Sequence, residues 1–254
     1  MEEMAIYNAD RKRMSSKPTI ADRINLPLFI FILGSFAIAG IILTVKLIIA
    51  ATNGTDNHFL YTSYVLSLLQ CALGIFALFI PRILQTKYSF SFSSPLKITY
   101  CVFLYCAIFL GEVKNYYITV PLWDDILHCF SGIMAGIFAF MVISVITAKI
   151  TDAPSILPPL LIALFSFVFS VAIGALWEIY EFTLDSFLEL NMQKYRENNG
   201  TPLIGQEALF DTMKDIVIDT LGALAVAVWG YMSMKTNLHW LSKYNGNRKA
   251  QENK

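Results

Sequence analysis

The chain contains six long, nearly unbroken apolar runs separated by polar segments. A helix of about 20 apolar residues spans a bilayer core, where every backbone polar group must be bonded within the segment. The composition agrees, because only 15% of the residues are charged and soluble domains carry nearer a quarter. The sequence therefore predicts an all-α, polytopic membrane protein. Its six transmembrane helices are predicted at Leu26–Ala50, Phe59–Ile80, Ile98–Tyr117, Ile126–Ala148, Pro158–Tyr180 and Asp215–Met234.

The basic residues give the predicted orientation. Five lysines and arginines lie between residues 11 and 23, before the first span, and another five lie in the last 20 residues. Cytoplasmic segments are enriched in Lys and Arg, so both termini are predicted to be cytoplasmic. The predicted organisation is a cytoplasmic tail (1–25), a six-helix membrane domain (26–234) and a second cytoplasmic tail (235–254). The predicted location is the plasma membrane.

Acidic residues collect at the opposite, outer ends of the last four spans. Acids contribute little to membrane topology, so insertion rules do not explain this distribution. At the end of the third span, Glu112 and Lys114 are predicted to form an interfacial pair. The other acids fall in three motifs: "WDDILHCFSG" opens the fourth span, "ALWEIYEFTLD" ends the fifth, and "DTMKDIVIDTLGA" opens the sixth.

The spacing within these motifs places acids on single helix faces. Asp124 and His128 are i, i+4 and Asp125 and His128 are i, i+3, so one of the two acids shares a face with the imidazole. Glu178 and Glu181 share a face of the fifth span. Asp185, a further turn out, is predicted to stay in water, whereas Asp211, Asp215 and Asp219 form one stripe that reaches about a turn below the outer surface.

The predicted topology brings the three motifs to one membrane depth, because the fourth and sixth spans run inward and the fifth runs outward. The resulting candidate site comprises Asp125, His128, Glu178, Glu181, Asp215 and Asp219. Clustered carboxylates share protons or hold a cation. Oxygen-rich ligands suit Mg²⁺, Mn²⁺ or Ca²⁺, and His128 also admits Zn²⁺ or Fe²⁺. The predicted metal ligands are Asp125, His128, Glu178, Glu181 and Asp219.

Several functional classes lack their motifs. The sequence has no serine nucleophile elbow, no HExxH and no Gly-rich phosphate loop, and no basic aromatic patch suggests a nucleic-acid partner. The four cysteines fall within predicted spans and are expected to be buried free thiols. A solvated or helix-capping acidic surface is the simplest alternative to a functional site.

The three motifs, in this order, resemble a family of uncharacterised bacterial inner-membrane proteins of the YjdF type, and they are more distantly similar to VanZ-like membrane proteins. The resemblance covers roughly residues 98 to 234 and implies a bacterial plasma membrane. The VanZ-like similarity implies a role near the cell wall, although Glu181 stands where that group is expected to have an amide. The positions that carry the resemblance are Asp125, His128, Gly132, Trp177, Glu178, Glu181, Asp211, Asp215, Asp219 and Gly222.

Three hypotheses follow. In the first, an exofacial carboxylate–His site binds a divalent cation and binds or hydrolyses a lipid-linked precursor of the cell envelope. In the second, the protein is not an enzyme, and its acids hold the helices together through shared protons. The third is an ion or proton transporter, which the scarcity of polar residues in the inner halves of the spans disfavours. The sequence leaves open whether the protein is an enzyme.

Overall fold

A computed structural model of the protein describes residues 20–53, 58–88, 90, 92–150, 157–197 and 199–236. It contains six helices that are long and apolar enough to cross a membrane, which confirms the predicted fold class. The described residues form no strand, and their one isolated β-bridge joins Arg196 to Pro202. The helices are α1 (Ile20–Thr52), α2 (His58–Tyr88), α3 (Ser94–Leu104, continued by a π-helix over Tyr105–Val113), α4 (Trp123–Ile150), α5 (Pro159–Leu188) and α6 (Gln206–Thr236).

The third span ends earlier than the sequence predicts. The π-helix stops at Val113, and Asn115 adopts a left-handed conformation with φ of 58°. This conformation cannot continue a right-handed helix, and Asn is among the few residues that tolerate it. A short helical turn, Tyr116–Thr119, then leads toward α4. The ring of Tyr117 fills the space where Gly111 has no side chain.

The other five helices are longer than predicted. Helix α2 continues eight residues past Ile80, α5 continues eight residues past Tyr180, and α6 begins nine residues before Asp215. The extensions of α5 and α6 are polar on one face and follow the same helical periodicity, so hydropathy alone ends α5 too early and starts α6 too late. Residues 1–19 and 237–254, which make up most of the two predicted tails, lie outside the described residues.

The helices expose apolar side chains and bury small or polar ones, as expected for a bundle surrounded by lipid. On α5, Leu164 and Val168 are more than half exposed, whereas Ser166 and Ser170 are fully buried. Ser166 donates a hydrogen bond to the Gly136 carbonyl, and Ser170 donates one to that of Gly132. Interhelical bonds of this kind are typical of membrane helices, where the surrounding lipid gives little hydrophobic drive for association.

The bundle consists of two groups of three helices. Helices α1, α2 and α3 pack around Ile32 and Phe36, whereas α4, α5 and α6 pack against one another along their length. Glycines bring α4 and α6 together. A Cβ on Gly132 would lie 2.6 Å from the Asp219 carbonyl oxygen, and one on Gly222 would lie 2.6 Å from that of Cys129. This backbone contact brings the first turns of α4 against the inner end of the acidic stripe on α6.

Candidate functional site

His128 lies at the centre of the group formed by α4, α5 and α6, and its side chain is 6% exposed. Its Nδ1 lies 3.1 Å from Asp219 Oδ2 on α6. The other oxygen of Asp219 accepts a hydrogen bond of 2.8 Å from the Ser131 hydroxyl. With Asp219 ionised, Nδ1 carries the proton of a neutral imidazole. The carboxylate thereby fixes the orientation of the ring and leaves the Nε2 lone pair free.

The Nε2 side of the ring faces three carboxylates from three helices. Asp124 Oδ1 lies 3.5 Å from Nε2, and Glu178 Oε1 and Asp215 Oδ2 each lie 3.9 Å from it. These separations are longer than an ordinary hydrogen bond. One ligand atom each from Asp124, His128 and Asp215 lies within 4.8 Å of the other two. Asp124, Asp215 and Nε2 therefore surround one small volume, and Glu178 approaches the same nitrogen from α5. We call these three carboxylates and Nε2 the inner ring.

The inner ring leaves buried oxygen atoms without partners. Glu178 is 4% exposed and Asp215 is 1% exposed. Among the described residues, no group donates a hydrogen bond to Glu178 Oε1 or to Asp215 Oδ1. A buried carboxylate oxygen without a hydrogen bond destabilises the folded protein, since moving an ion out of water costs on the order of several kcal/mol. Such atoms indicate a missing proton, water or cation.

Helix packing makes room for Asp219 beside the histidine. A Cβ on Gly174 would lie 2.6 Å from Asp219 Oδ2. Because Gly174 has no side chain, the Asp219 carboxylate fits between α5 and α4 while it remains bonded to His128. Asp219 is 2% exposed, so this contact is fully enclosed.

Two lysines neutralise the acids nearest the surface. Lys194 Nζ lies 2.5 Å from Asp124 Oδ2 and 2.9 Å from Asp211 Oδ1, and Lys214 Nζ lies 2.7 Å from Asp125 Oδ1. Partial burial lowers the pKa of Lys194, but the negative charges of Asp124 and Asp211 outweigh it and raise the pKa above its ordinary value. The stability from these ion pairs is therefore present below the ordinary pKa of lysine and is lost as the pH rises through the higher folded-state value.

The loop between α5 and α6, residues 189–205, covers the site and is held by side chains beneath it. Asp185 accepts hydrogen bonds from the backbone amides of Met192 and Gln193 at 2.8 and 3.0 Å. The Gln193 amide reaches Glu178 Oε2 at 3.3 Å. Asp185 is 4% exposed, so the prediction that it stays in water is wrong. It anchors the loop instead.

A cavity of about 590 Å³ lies next to the inner ring. Its wall includes Asp124, so the cavity and the inner ring share that carboxylate. Glu181 also lines the cavity, and its Oε1 accepts a hydrogen bond of 3.0 Å from the Trp177 indole. Glu112 lines the cavity as well, and its carboxylate accepts a hydrogen bond of 3.1 Å from Gln70. The predicted pairing of Glu112 with Lys114 is wrong, because the Lys114 ammonium lies over the Phe109 ring instead.

Comparison with known proteins identifies the family. Residues 35–236 match a family described as predicted membrane proteins, DUF2238. The chain belongs to this family. A protein of Thermotoga maritima, described as an uncharacterized protein, is 28% identical over 148 residues, which are 58% of this chain and 66% of that relative. The chain thus spans just under two thirds of the relative's length. No solved structure matches the chain. The YjdF-type and VanZ-like resemblances remain predictions.

All the predicted site residues lie within the segment that the family covers, and most of them come together in the structure. His128, Glu178, Asp215 and Asp219 are in mutual proximity, and Glu181 lies in the adjoining cavity. Asp125 is the exception, because it pairs with Lys214 while Asp124 takes the place beside His128. Sequence spacing left both acids open, since each is one helical turn from the histidine.

The sequence analysis missed the groups that surround these acids. Gln193 comes from a loop without periodicity, and Ser131 carries no signal that distinguishes it from an ordinary helix serine. The four cysteines are free, as predicted, but only Cys71 and Cys101 are buried, whereas Cys106 and Cys129 are partly exposed.

Proposed function

We propose that the inner ring holds one divalent cation, with His128 Nε2 and carboxylate oxygens of Asp124, Asp215 and Glu178 as its ligands. Asp219 would orient the imidazole from the other side and would not itself be a ligand. The observation that carries the proposal is the approach of three carboxylates from three helices to one imidazole nitrogen at 3.5–3.9 Å.

The distances suit ligands that share an ion. At metal–ligand bond lengths of about 2.0–2.2 Å, two ligand atoms lie roughly 3.4 Å apart around a tetrahedral ion. Around an octahedral ion they lie roughly 3.0 Å apart when adjacent and roughly 4.2 Å apart when opposite. The separations between Nε2 and the three carboxylate oxygens lie between these limits. The hydrogen bond from Nδ1 to Asp219 supports the same interpretation, because histidines that bind metals commonly donate the second ring N–H to a carboxylate.

The distribution of charge also supports a cation. Lys194 and Lys214 pair with Asp124, Asp125 and Asp211 at the surface side. No lysine or arginine among the described residues forms an ion pair with Glu178, Asp215 or Asp219. A divalent ion would offset this buried charge and supply the missing partners of Glu178 Oε1 and Asp215 Oδ1. The ligand set suits Mg²⁺, Mn²⁺, Ca²⁺ or Zn²⁺.

We place this site at the outer face of a bacterial plasma membrane, with a lipid-linked envelope precursor as the substrate. The positive-inside distribution supports the orientation, and the adjoining cavity supports a substrate held beside Asp124. A bound metal would act as a Lewis acid on a phosphoryl or carbonyl oxygen. Glu181 lines the cavity and would serve as an acid/base group beside the metal ligands.

A second candidate function is purely structural. One imidazolium surrounded by Asp124, Glu178, Asp215 and Asp219 could hold three helices together through shared protons and ion pairs. The contact between His128 Nδ1 and Asp219 favours this alternative as much as it favours a metal. The two differ in that the structural role needs no ion.

Metal analysis of the purified full-length protein separates the two functions. After dialysis against each candidate ion, the wild type should retain about one ion per chain, and Asp124→Asn should lose it. Asp125→Asn is the matched control. It removes the same charge at the neighbouring residue, and Asp125 pairs with Lys214. A wild-type protein that binds no ion at millimolar concentrations would rule out the metal and leave the structural role.

A further inference from the structure

The cavity beside the inner ring has two chemically different walls. The helix wall carries three carboxylates, those of Glu112, Asp124 and Glu181. The loop wall carries both basic residues of the lining, Lys194 and Arg196, together with the carboxylates of Glu189 and Glu197. The volume of about 590 Å³ lies within the range of about 300–1,000 Å³ that small-molecule sites occupy. A ligand that pairs with the acids of the helix wall and with the guanidinium of Arg196 would be a zwitterion.

Two acids of the helix wall are incompletely satisfied. Glu181 is 7% exposed, and among the described residues its carboxylate accepts a hydrogen bond only from Trp177, on Oε1. The carboxylate of Glu112 accepts one only from Gln70, also on a single oxygen. Neither acid forms an ion pair with a described lysine or arginine. One oxygen of each therefore remains available to a donor in the cavity.

Tyr117 is a buried phenol of this wall. It lines the cavity between the end of α3 and the start of α4. Burial is the main reason why the pKa of Tyr117 lies well above its ordinary value, and the negative charges of Glu112, Asp124 and Glu181 raise it further. Carboxylates from three helices therefore lie near this phenol.

The π-helix determines the position of Glu112 in this wall. Glu112 is the penultimate residue of the segment Tyr105–Val113, whose wider turns differ from those of the preceding α-helix. Segments of π-helix are frequent at functional sites, because the backbone distortion redirects side chains. Here the segment ends beside the cavity, and Gln70 of α2 fixes the carboxylate.

The loop wall offers a positive charge without a carboxylate partner. The Arg196 guanidinium donates a hydrogen bond to the Tyr195 hydroxyl and lies 4.5 Å from the centre of that ring. Among the described residues it forms no ion pair. Guanidinium groups bind phosphate well, because their planar N–H donors match its oxygen atoms. Lys194, already shared between Asp124 and Asp211, adds positive charge to the same wall.

We infer that the cavity binds a ligand with a primary ammonium group linked to a phosphate, with the ammonium at Glu112 and Glu181 and the phosphate at Arg196. A primary ammonium has three N–H donors, which suits two carboxylates and a further acceptor such as the Asn115 side chain on the same wall. This ligand is either the headgroup of an aminophospholipid or a free aminoalkyl phosphate. Its binding requires no metal and goes beyond the proposed function.

Calorimetric titration of the full-length protein in detergent, with a metal chelator present throughout, tests this inference. The probes are phosphoethanolamine and short-chain phosphatidylethanolamine, with short-chain phosphatidylcholine and phosphatidylglycerol as lipids that lack the primary ammonium. Binding of phosphoethanolamine would identify a free ligand, and binding of phosphatidylethanolamine alone would identify the lipid headgroup. Because the chelator removes divalent ions, failure of the metal proposal would not change these results.

The variants Glu112→Gln and Glu181→Gln should each weaken binding about tenfold or more, since each removes a charge-assisted hydrogen bond. Glu207→Gln is the matched control, because Glu207 is exposed in the first turn of α6 and does not line the cavity. Thermal unfolding of each variant reports its folding. Two results with the wild-type protein would overturn the inference. One is equal binding of phosphatidylethanolamine and phosphatidylglycerol, and the other is no binding of phosphoethanolamine or of phosphatidylethanolamine.

Discussion

Asp219→Asn tests whether Asp219 orients His128 as a metal ligand or only stabilises the packing of the helices. Asp219 accepts hydrogen bonds from His128 Nδ1 at 3.1 Å and from Ser131 at 2.8 Å. Asparagine keeps the shape of the side chain but offers one acceptor and one donor group. It therefore cannot accept from both partners, and it can hold the imidazole only through a neutral acceptor, which is weaker than a carboxylate.

The expected magnitude follows from this geometry. Loss of a carboxylate that orients a metal-binding histidine typically lowers metal affinity about 10–100-fold. If the wild type is held at a free ion concentration of about 100 times its Kd, ligand binding stabilises it by about 2.7 kcal/mol. The same ion concentration would stabilise Asp219→Asn by only about 0.4–1.4 kcal/mol. Asp219→Asn should therefore lose about half or more of the metal-dependent stabilisation.

Thermal unfolding with a thiol-reactive fluorophore measures this quantity, because Cys71 and Cys101 are buried and become reactive on unfolding. Each protein is unfolded with chelator and at a series of ion concentrations, and the difference gives the metal-dependent stabilisation. Ser131→Ala is an informative companion, since it removes one hydrogen bond to Asp219 and leaves its charge in place. It should cause a smaller loss than Asp219→Asn.

Two results would refute this reasoning. If Asp219→Asn binds the ion as tightly as the wild type, Asp219 does not orient the histidine. If the variant is destabilised by the same amount with chelator and with ion, the carboxylate has only the structural role. Loss of a hydrogen bond to a charged group would then cost about 1.5–3 kcal/mol under both conditions.

Two further predictions concern packing and orientation. Gly222→Ala should destabilise the protein by about 1–3 kcal/mol, because its Cβ would lie 2.6 Å from the Cys129 carbonyl oxygen. Gly34→Ala is the control in α1; its Cβ meets nothing within 4 Å, so the same unfolding assay should show no loss. A cysteine at Asn199, in a background without the four native cysteines, should react with an impermeant reagent from outside intact cells. Reaction only after the membrane is permeabilised would place the site in the cytoplasm.

The sequence determined the helical membrane fold because lipid admits few alternatives. Apolar runs of bilayer length must be helical, so hydropathy found all six spans. It misplaced helix ends where the chain leaves the apolar layer. Helix α5 continues to Leu188 and α6 starts at Gln206, since helical hydrogen bonding does not stop at the membrane surface. The π-helix over Tyr105–Val113 has no hydropathy signature.

The site was partly predictable for the same reason. Helical spacing and alternating span direction bring the start of α4, the end of α5 and the start of α6 to one depth, which places His128 near Glu178 and Asp215. Spacing cannot give the rotation of one helix against another. The choice of Asp124 over Asp125 depends on that rotation, which the contacts at Gly132 and Gly222 set.

Only the tertiary structure assigned separate environments to acids that look alike in the sequence. Asp219 is bonded to His128 because Gly174 leaves space for it, and Asp185 is buried because the loop folds back over it. Glu112 joins the cavity wall through the π-helix and Gln70. These assignments depend on contacts between residues far apart in the chain, such as His128 and Asp219, whose proximity local periodicity does not encode.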